Sequence, residues 1–172
     1  MIGSNQLGLR PAQPADIPFI MATERIPDFE KLVGRWSEED HLTALRTPGY
    51  AYFLGLNAAG ERMALAIVRD LNDAHGNVCL KRIAVSAPGK GIGGRFLRTV
   101  VRWVFTETGA YRLWLDVLAD NTRARHVYLL HGFVEEGVLR NAYKLMDETR
   151  SDLVLMSLLR PDWCLRVGQD LD

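Results

Sequence analysis

The sequence predicts a mixed α/β (α+β) fold, a mostly antiparallel sheet with helices packed on it. Three observations predict it. Several short segments alternate apolar and polar residues with period two between Gly, Pro and Asn/Asp turns; other segments repeat their apolar residues at helical spacing; and the two kinds follow one another as one strand, two helices, three antiparallel strands, helix, strand, helix and two strands, an order that describes a mixed sheet. The 172 residues, 48% apolar and 24% charged, suit one core. No repeat, low-complexity stretch or Gly/Pro linker divides them, so residues 1–172 are expected to be a single domain.

A short strand is expected near Leu7 to Arg10, then a helix entered at Asp16, whose side chain can cap exposed N–H groups. Ser37, with Asp40 three residues on, makes a capping-box-like start for a second helix carrying Leu42 and Leu45. Glu38, Glu39 and Asp40 complement the dipole of its first turn. Tyr50 to Asn57 and Arg62 to Arg69 flank Ala58-Ala59-Gly60 and read as an antiparallel hairpin. After the polar turn at 72–76, a third strand carries apolar residues at Val78 and Leu80 and then skips to Ile83 and Val85. Its in-facing set moves by three instead of two, which implies one extra residue, a β-bulge.

Ile92, Phe96, Val100 and Val104, joined by Leu97 and Val101, form the stripe of a helix that Gly109 ends. Arg112 to Val117 is a strand, Thr122 to Leu130 a short helix stopped by Gly132 with His131 as its C-terminal cap, and Phe133 to Val138 a further strand. Asp152 to Leu159 closes the sheet, and this apolar strand with the Trp163 tail is where a homodimer could form.

Lys plus Arg equals Asp plus Glu at 21 each, so no net field draws the chain to nucleic acid or an anionic membrane, and any anion site must be local. Cys79 and Cys164 stand far apart without metal-ligand spacing, so neither a disulfide framework nor a metal site is expected. A reducing cytoplasm fits. The N-terminus lacks a basic-then-apolar signal pattern, and no apolar run reaches the roughly 20 residues that span a bilayer.

The anion site is sought in Gly89-Lys90-Gly91-Ile92-Gly93-Gly94-Arg95. Gly89, Gly91 and Gly94 satisfy GxGxxG literally, but hairpin strands precede them where a dinucleotide fold needs parallel β/α units. The nucleotide triphosphatase loop fails too, because Gly91 follows Lys90 where Ser or Thr should hold magnesium. What survives is physical: glycines let a ligand approach the backbone, and N–H groups at a helix N-terminus attract an anion. Lys90 and Arg95 add positive charge, while Arg98 and Arg102 read as a solvated helix face.

The bulged strand, the glycine loop, and Asn121-Thr-Arg-Ala124-Arg-His-Val-Tyr128 followed by Gly132-Phe133 together resemble the GNAT superfamily of acyl-CoA-dependent N-acetyltransferases, in the branch of ribosomal-protein and small-amine acetyltransferases. The resemblance covers about Leu80 to Leu159. Gly91 and Gly93 match the glycines of its R/Q-x-x-G-x-G/A motif, while Pro88 stands where Arg or Gln is usual, losing a side-chain contact but leaving the N–H groups of the glycines in place. The resemblance implies a GNAT-like sheet with splayed central strands and acetyl-CoA as cosubstrate. Pyrophosphate would lie on Gly89 to Gly94, and the pantetheine arm would pair with Ile83, Ala84 and Val85. The bulged strand would part from the strand carrying Trp114 and Asp116, opening a slot lined by Asn121 and Ala124. Arg123 would stand either at the cofactor or on the surface.

The activity implied is acetyl transfer to the primary amine of a small molecule or peptide by direct attack, with Tyr128 donating a proton to the leaving thiolate. Most amines are protonated at neutral pH, so a base is required. Lys81 and Arg82 stand where many relatives carry Glu. Glu24, His75, Asp116 and a water relay therefore share the candidacy. The missing acid also leaves open a non-catalytic acyl-CoA-binding regulatory domain. Cys79, in an apolar strand with no cationic partner nearby in sequence, reads as a buried small hydrophobe.

Overall fold

The computed structural model describes residues 7–27, 29 and 34–169. The strands are β1 (Gly8–Pro11), β2 (Ala51–Leu56), β3 (Arg62–Arg69), β4 (Asn77–Val85), β5 (Arg112–Leu118), β6 (Val134–Lys144) and β7 (Arg150–Leu159). The helices are α1 (Ile17–Glu24), α2 (Glu38–Arg46), α3 (Ile92–Glu107), α4 (Thr122–Leu130) and α5 (Arg160–Gln169). One seven-stranded sheet runs β1-β2-β3-β4-β5-β7-β6, antiparallel throughout except for the parallel pair β4 and β5. This is the mixed, mostly antiparallel fold expected. Among the described residues, no helix is long and apolar enough to cross a membrane.

Each face of the sheet has its own core. On one, the stripe Phe96, Val100 and Val104 of α3 packs against Val68, Leu80, Leu113, Leu115 and Met156. On the other, Ile20 of α1 and Ala44 of α2 cover Tyr52, Leu54, Leu65 and Ile67. A fully buried side chain of this kind contributes roughly 1.5–3 kcal/mol of transfer free energy. The α3 face thus holds the larger share of the stabilisation.

The bulge predicted in β4 falls at Lys81, since Ile67 pairs with Arg82 but Val68 pairs with Leu80. The extra residue resets the alternation. Val78 and Leu80 before it, and Ile83 and Val85 after it, all belong to the α3 face, while Ala84 joins the α1/α2 core and Arg82 meets α1. The ladder to β5 consists of Asn77 with Arg112, Val78 with Leu113 and Cys79 with Trp114, and stops there. Pairing of β4 to β3 continues to Val85. Beyond Cys79 the sheet is therefore split.

Four expectations are corrected. Asp16 does not cap α1; a 3₁₀ turn, Pro14–Asp16, intervenes, and the carboxylate accepts the Gln13 N–H at 2.9 Å and pairs with Arg10 and Arg62. The strand ending at Val138 runs on to Lys144, because a left-handed Asn141 (φ 52), its N–H on Asp152 at 2.7 Å, carries it across an irregularity where alternation breaks down. The final strand does not close the sheet: β7 lies between β5 and β6, so both its edges are used. The tail is the helix α5, whose Arg160 donates to the carbonyls of Phe105, Thr108 and Ala110 and whose Trp163 ring sits 5.3 Å from Phe105. Neither edge of β7 is left for a homodimer, while α5 keeps Leu165 and Val167 exposed.

Two stability predictions follow from this packing. A Cβ on Gly55 would lie 2.7 Å from the Phe96 ring and 3.1 Å from the Ala64 side chain, so Gly55→Ala overpacks the core. Urea unfolding should record a loss of about 1–3 kcal/mol. The hydrogen bonds from Arg10 are the chief reason that the Asp16 carboxyl titrates below its ordinary 3.8 in the fold. Its contribution is present above that ordinary value and lost as pH falls through the lower native one. Asp16→Asn should therefore lower stability at neutral pH and flatten its decline in acid; an unchanged acid limb would contradict this.

Candidate active site

The gap between β4 and β5 opens into a cavity of about 330 Å³. Its walls come from β4 (Leu80 to Val85), β5 (Asp116 to Leu118), the loop before α3 (Pro88, Gly91), α3 itself (Gly93, Gly94, Leu97) and α4 (Asn121, Arg123, Ala124, Val127, Tyr128). Phe29, Gly34, Tyr143 and Leu153 complete the lining.

The loop leaves its backbone bare. Gly89 (φ 90) and Gly91 (φ 69) are left-handed, and a Cβ built on either would meet nothing within 4 Å. Gly91 is the N-cap of α3, and no side chain takes the cap hydrogen bond. The first N–H groups of a helix have no partner within it, and they carry the positive end of its dipole. The arrangement suits a phosphate-sized anion. Gly94 answers a different need, since a Cβ there would come within 3.1 Å of the His131 ring. That ring is itself fixed by the Val127 carbonyl, 2.8 Å from its Nδ1.

Helix α4 supplies the opposite wall. Asn121 caps it, its Oδ1 accepting the Ala124 N–H at 3.2 Å. Two turns on, Tyr128 packs 5.7 Å from the Phe133 ring, centroid to centroid. Burial raises the phenol pKa well above its usual value, and the charge of Asp116 raises it further. The hydroxyl stays protonated at neutral pH, has no hydrogen-bond partner among the described residues, and belongs to a residue that lines the slot. It is equipped to give a proton to a departing anion.

On the α1/α2 face the slot meets a buried polar network. Arg82, just past the bulge, donates to Oε1 of Glu24, which is fully buried at the end of α1. The other oxygen, Oε2, lies 3.2 Å from His41 Nε2 in α2, and His41 Nδ1 lies 3.2 Å from the Tyr52 hydroxyl. The Arg82 guanidinium stacks 4.8 Å from the Trp36 ring. The network ties α1, α2, β2 and β4 together.

Of the residues singled out from sequence, Ile83, Ala84, Val85, Gly91, Gly93, Gly94, Asn121, Ala124 and Tyr128 line the one cavity, joined by Arg123. Gly89 and Lys90 sit exposed at its rim, and the Ile92 side chain is buried in the α3 core rather than turned to the slot. Arg95 is half-buried on the first turn of α3. Among the base candidates, Glu24 is withdrawn from solvent with both oxygens engaged, and His75 lies in an exposed turn away from the slot. Asp116 lines the slot and is exposed. Cys79 is buried, and that burial pushes its thiol up to about 11. Arg98 and Arg102 are exposed as expected. The network around Arg82 was missed, although an arginine sharing the parity of Ala84 beyond a bulge is a signal. Gly34, Tyr143 and Leu153 arrive by long-range packing and gave none.

The model of the acetyltransferase (GNAT) family matches residues 20–133. The spermidine N(1)-acetyltransferase of Escherichia coli (strain K12) is 28% identical over 93 residues, 54% of this chain and 50% of that protein, so the match spans about half the length of the curated relative. The spermidine N-acetyltransferase of Vibrio cholerae in complex with CoA and spermine superposes with a TM-score of 0.82 at 22% identity, over 92% of this chain and 98% of the other. The spermidine/spermine N-acetyltransferase of the same organism in complex with manganese ions gives 0.78 at 22% identity over 95% and 98%. At these identities the superpositions establish the fold.

Removing one partner of a buried ion pair strands the other without solvent. Glu24→Ala should therefore destabilise the protein by roughly 3–5 kcal/mol, read by chemical denaturation. A loss below 1 kcal/mol would mean that the pair contributes no more than a surface one.

Proposed function

Given that this chain belongs to the acetyltransferase (GNAT) family, we propose that it transfers an acetyl group from acetyl-CoA to a primary amine, by direct attack, in a single domain spanning residues 1–172. One observation carries the reading: the β4 and β5 ladder ends at Cys79 and Trp114, beside a helix N-terminus that no side chain caps. Acetyl-CoA would supply the activated acetyl thioester, and the chain offers complementary groups along its length. Main-chain N–H groups at 89–94 suit the pyrophosphate, with Lys90 and Arg95 adding charge. The edge of β4 at Ile83, Ala84 and Val85, released from β5, suits an extended amide-bearing arm. Asn121 and Ala124 wall the slot.

The residues then divide the work. N–H groups along the open β4 edge polarise the carbonyl, often the largest catalytic contribution at such sites. As the C–N bond forms and the C–S bond breaks, Tyr128 passes its proton to the sulfur. Glu24 is too committed to its pairs to serve as base, and His75 lies elsewhere. The amine proton leaves through Asp116 or solvent. The relatives act on spermidine, and a primary amine is the group this reading carries over.

A purified sample should release CoA thiol from acetyl-CoA only when a reactive amine is added. Tyr128→Phe should lower kcat by about 10²-fold or more, with little change in the acetyl-CoA KM. Tight acetyl-CoA binding with no amine-dependent release across a broad panel would favour a non-catalytic acyl-CoA-binding regulatory domain, which the cationic pair Lys81 and Arg82 on β4 keeps in view.

A further inference from the structure

The chemistry of the acceptor end is written in the charges around it. Lys81 and Arg82 line the slot from β4 and Asp116 lines it from β5, so a cationic side faces an anionic one across the gap. A polyamine presents only positive charge. With Glu24 counted, Lys81 and Arg82 meet two carboxylates, so the slot carries no net negative charge to hold a polycation.

Arg82 is more than a charge. Its Nη1 is taken by Glu24, the Trp36 ring covers it at 4.8 Å, and on another side Gly34 comes so close that a Cβ there would lie 2.7 Å from Nη2. Glu24 is in turn held by His41, and His41 by Tyr52. A guanidinium fixed in this way has lost its rotamer freedom before any ligand arrives, so little ordering entropy remains to be lost on binding. Among the described residues, Nε and Nη2 have no hydrogen-bond partner. These two nitrogens form one edge of the guanidinium, the edge that grips a carboxylate through two parallel bonds.

We infer that the acceptor is an α-amino acid with an apolar side chain, its carboxylate on Arg82 and its amine turned toward Asp116. This deepens the acetyltransferase reading and rests on it. Phe29, Leu153 and Tyr143 supply apolar wall for the side chain. Arg82 is then the residue that determines specificity, and Glu24, His41 and Trp36 are positioning residues that act through it.

Matched acceptors test this on the intact protein. Leucine, methionine and phenylalanine are compared with their amides, which keep the amine and side chain but lose the negative charge, and with spermidine. For the wild type, kcat/KM for at least one amino acid should exceed that for its amide and for spermidine by about tenfold or more, as expected for a charge-assisted bidentate contact. In Arg82→Gln that preference should collapse to within about twofold through a higher KM for the amino acid, while the acetyl-CoA KM holds. A purely structural Arg82 would instead lower activity toward both members of a pair equally. Amides or spermidine used as well as the amino acids by the wild type would overturn the inference even if Arg82→Gln failed to fold. Absence of thiol release with every amine is a different result; it removes the acetyltransferase reading, and this inference with it.

Discussion

One surplus residue governs the centre of this molecule. Lys81 has no counterpart in β3, and because it bulges out of the ladder every later side chain of β4 takes the face opposite to the one strict alternation would give it. Were Lys81 paired in regular alternation, Ile83 and Val85 would leave the α3 core, and Arg82 would point into that core instead of toward Glu24. The added twist also carries β4 away from β5 after three residue pairs. A sheet normally satisfies its own backbone groups. Here a stretch of strand edge is left for something else to satisfy, and the proposed donor of acetyl groups has the right shape and chemistry to do so.

The second constraint is electrostatic. Two hydrophobic cores pack well without Glu24, His41 and Arg82, and burying charge is costly even when it is paired. The fold accepts that cost at the point where α1 and α2 must be held over the split. Apolar contacts would let those helices slide, since such contacts are non-directional. A carboxylate engaged on both oxygens fixes them at defined distances. The same bonds that fix the helices also fix the Arg82 guanidinium at the slot.

Much of this was legible in the sequence, for identifiable reasons. The jump from Leu80 to Ile83 is a departure from period two, and pairing leaves no other way to accommodate it than an extra residue. Ser37 with Asp40 announced a helix start through local hydrogen bonds, and the structure contains them. Gly89 and Gly91 announced an open turn because their left-handed φ angles are poorly tolerated by other residues. Illegible features came from outside local reach. Asp16 was read as a cap because Arg62, far along the chain, was not known to be its partner. The place of β7 inside the sheet is topology, which alternation alone does not encode. Glu24 stood among the candidate bases because nothing beside it in sequence foretells Arg82 or His41.

The slot passes through the sheet, and its two mouths open onto separately packed layers. The glycine loop and α4 belong to the α3 layer, while Arg82, Trp36 and Gly34 belong with α1 and α2. Substitutions in one layer need not be relayed to the other across the strands between them. A lineage built on this plan can keep its donor end unaltered and rewrite its acceptor end piecemeal. Descendants that share one currency of activated acyl groups can thereby diverge in what they modify.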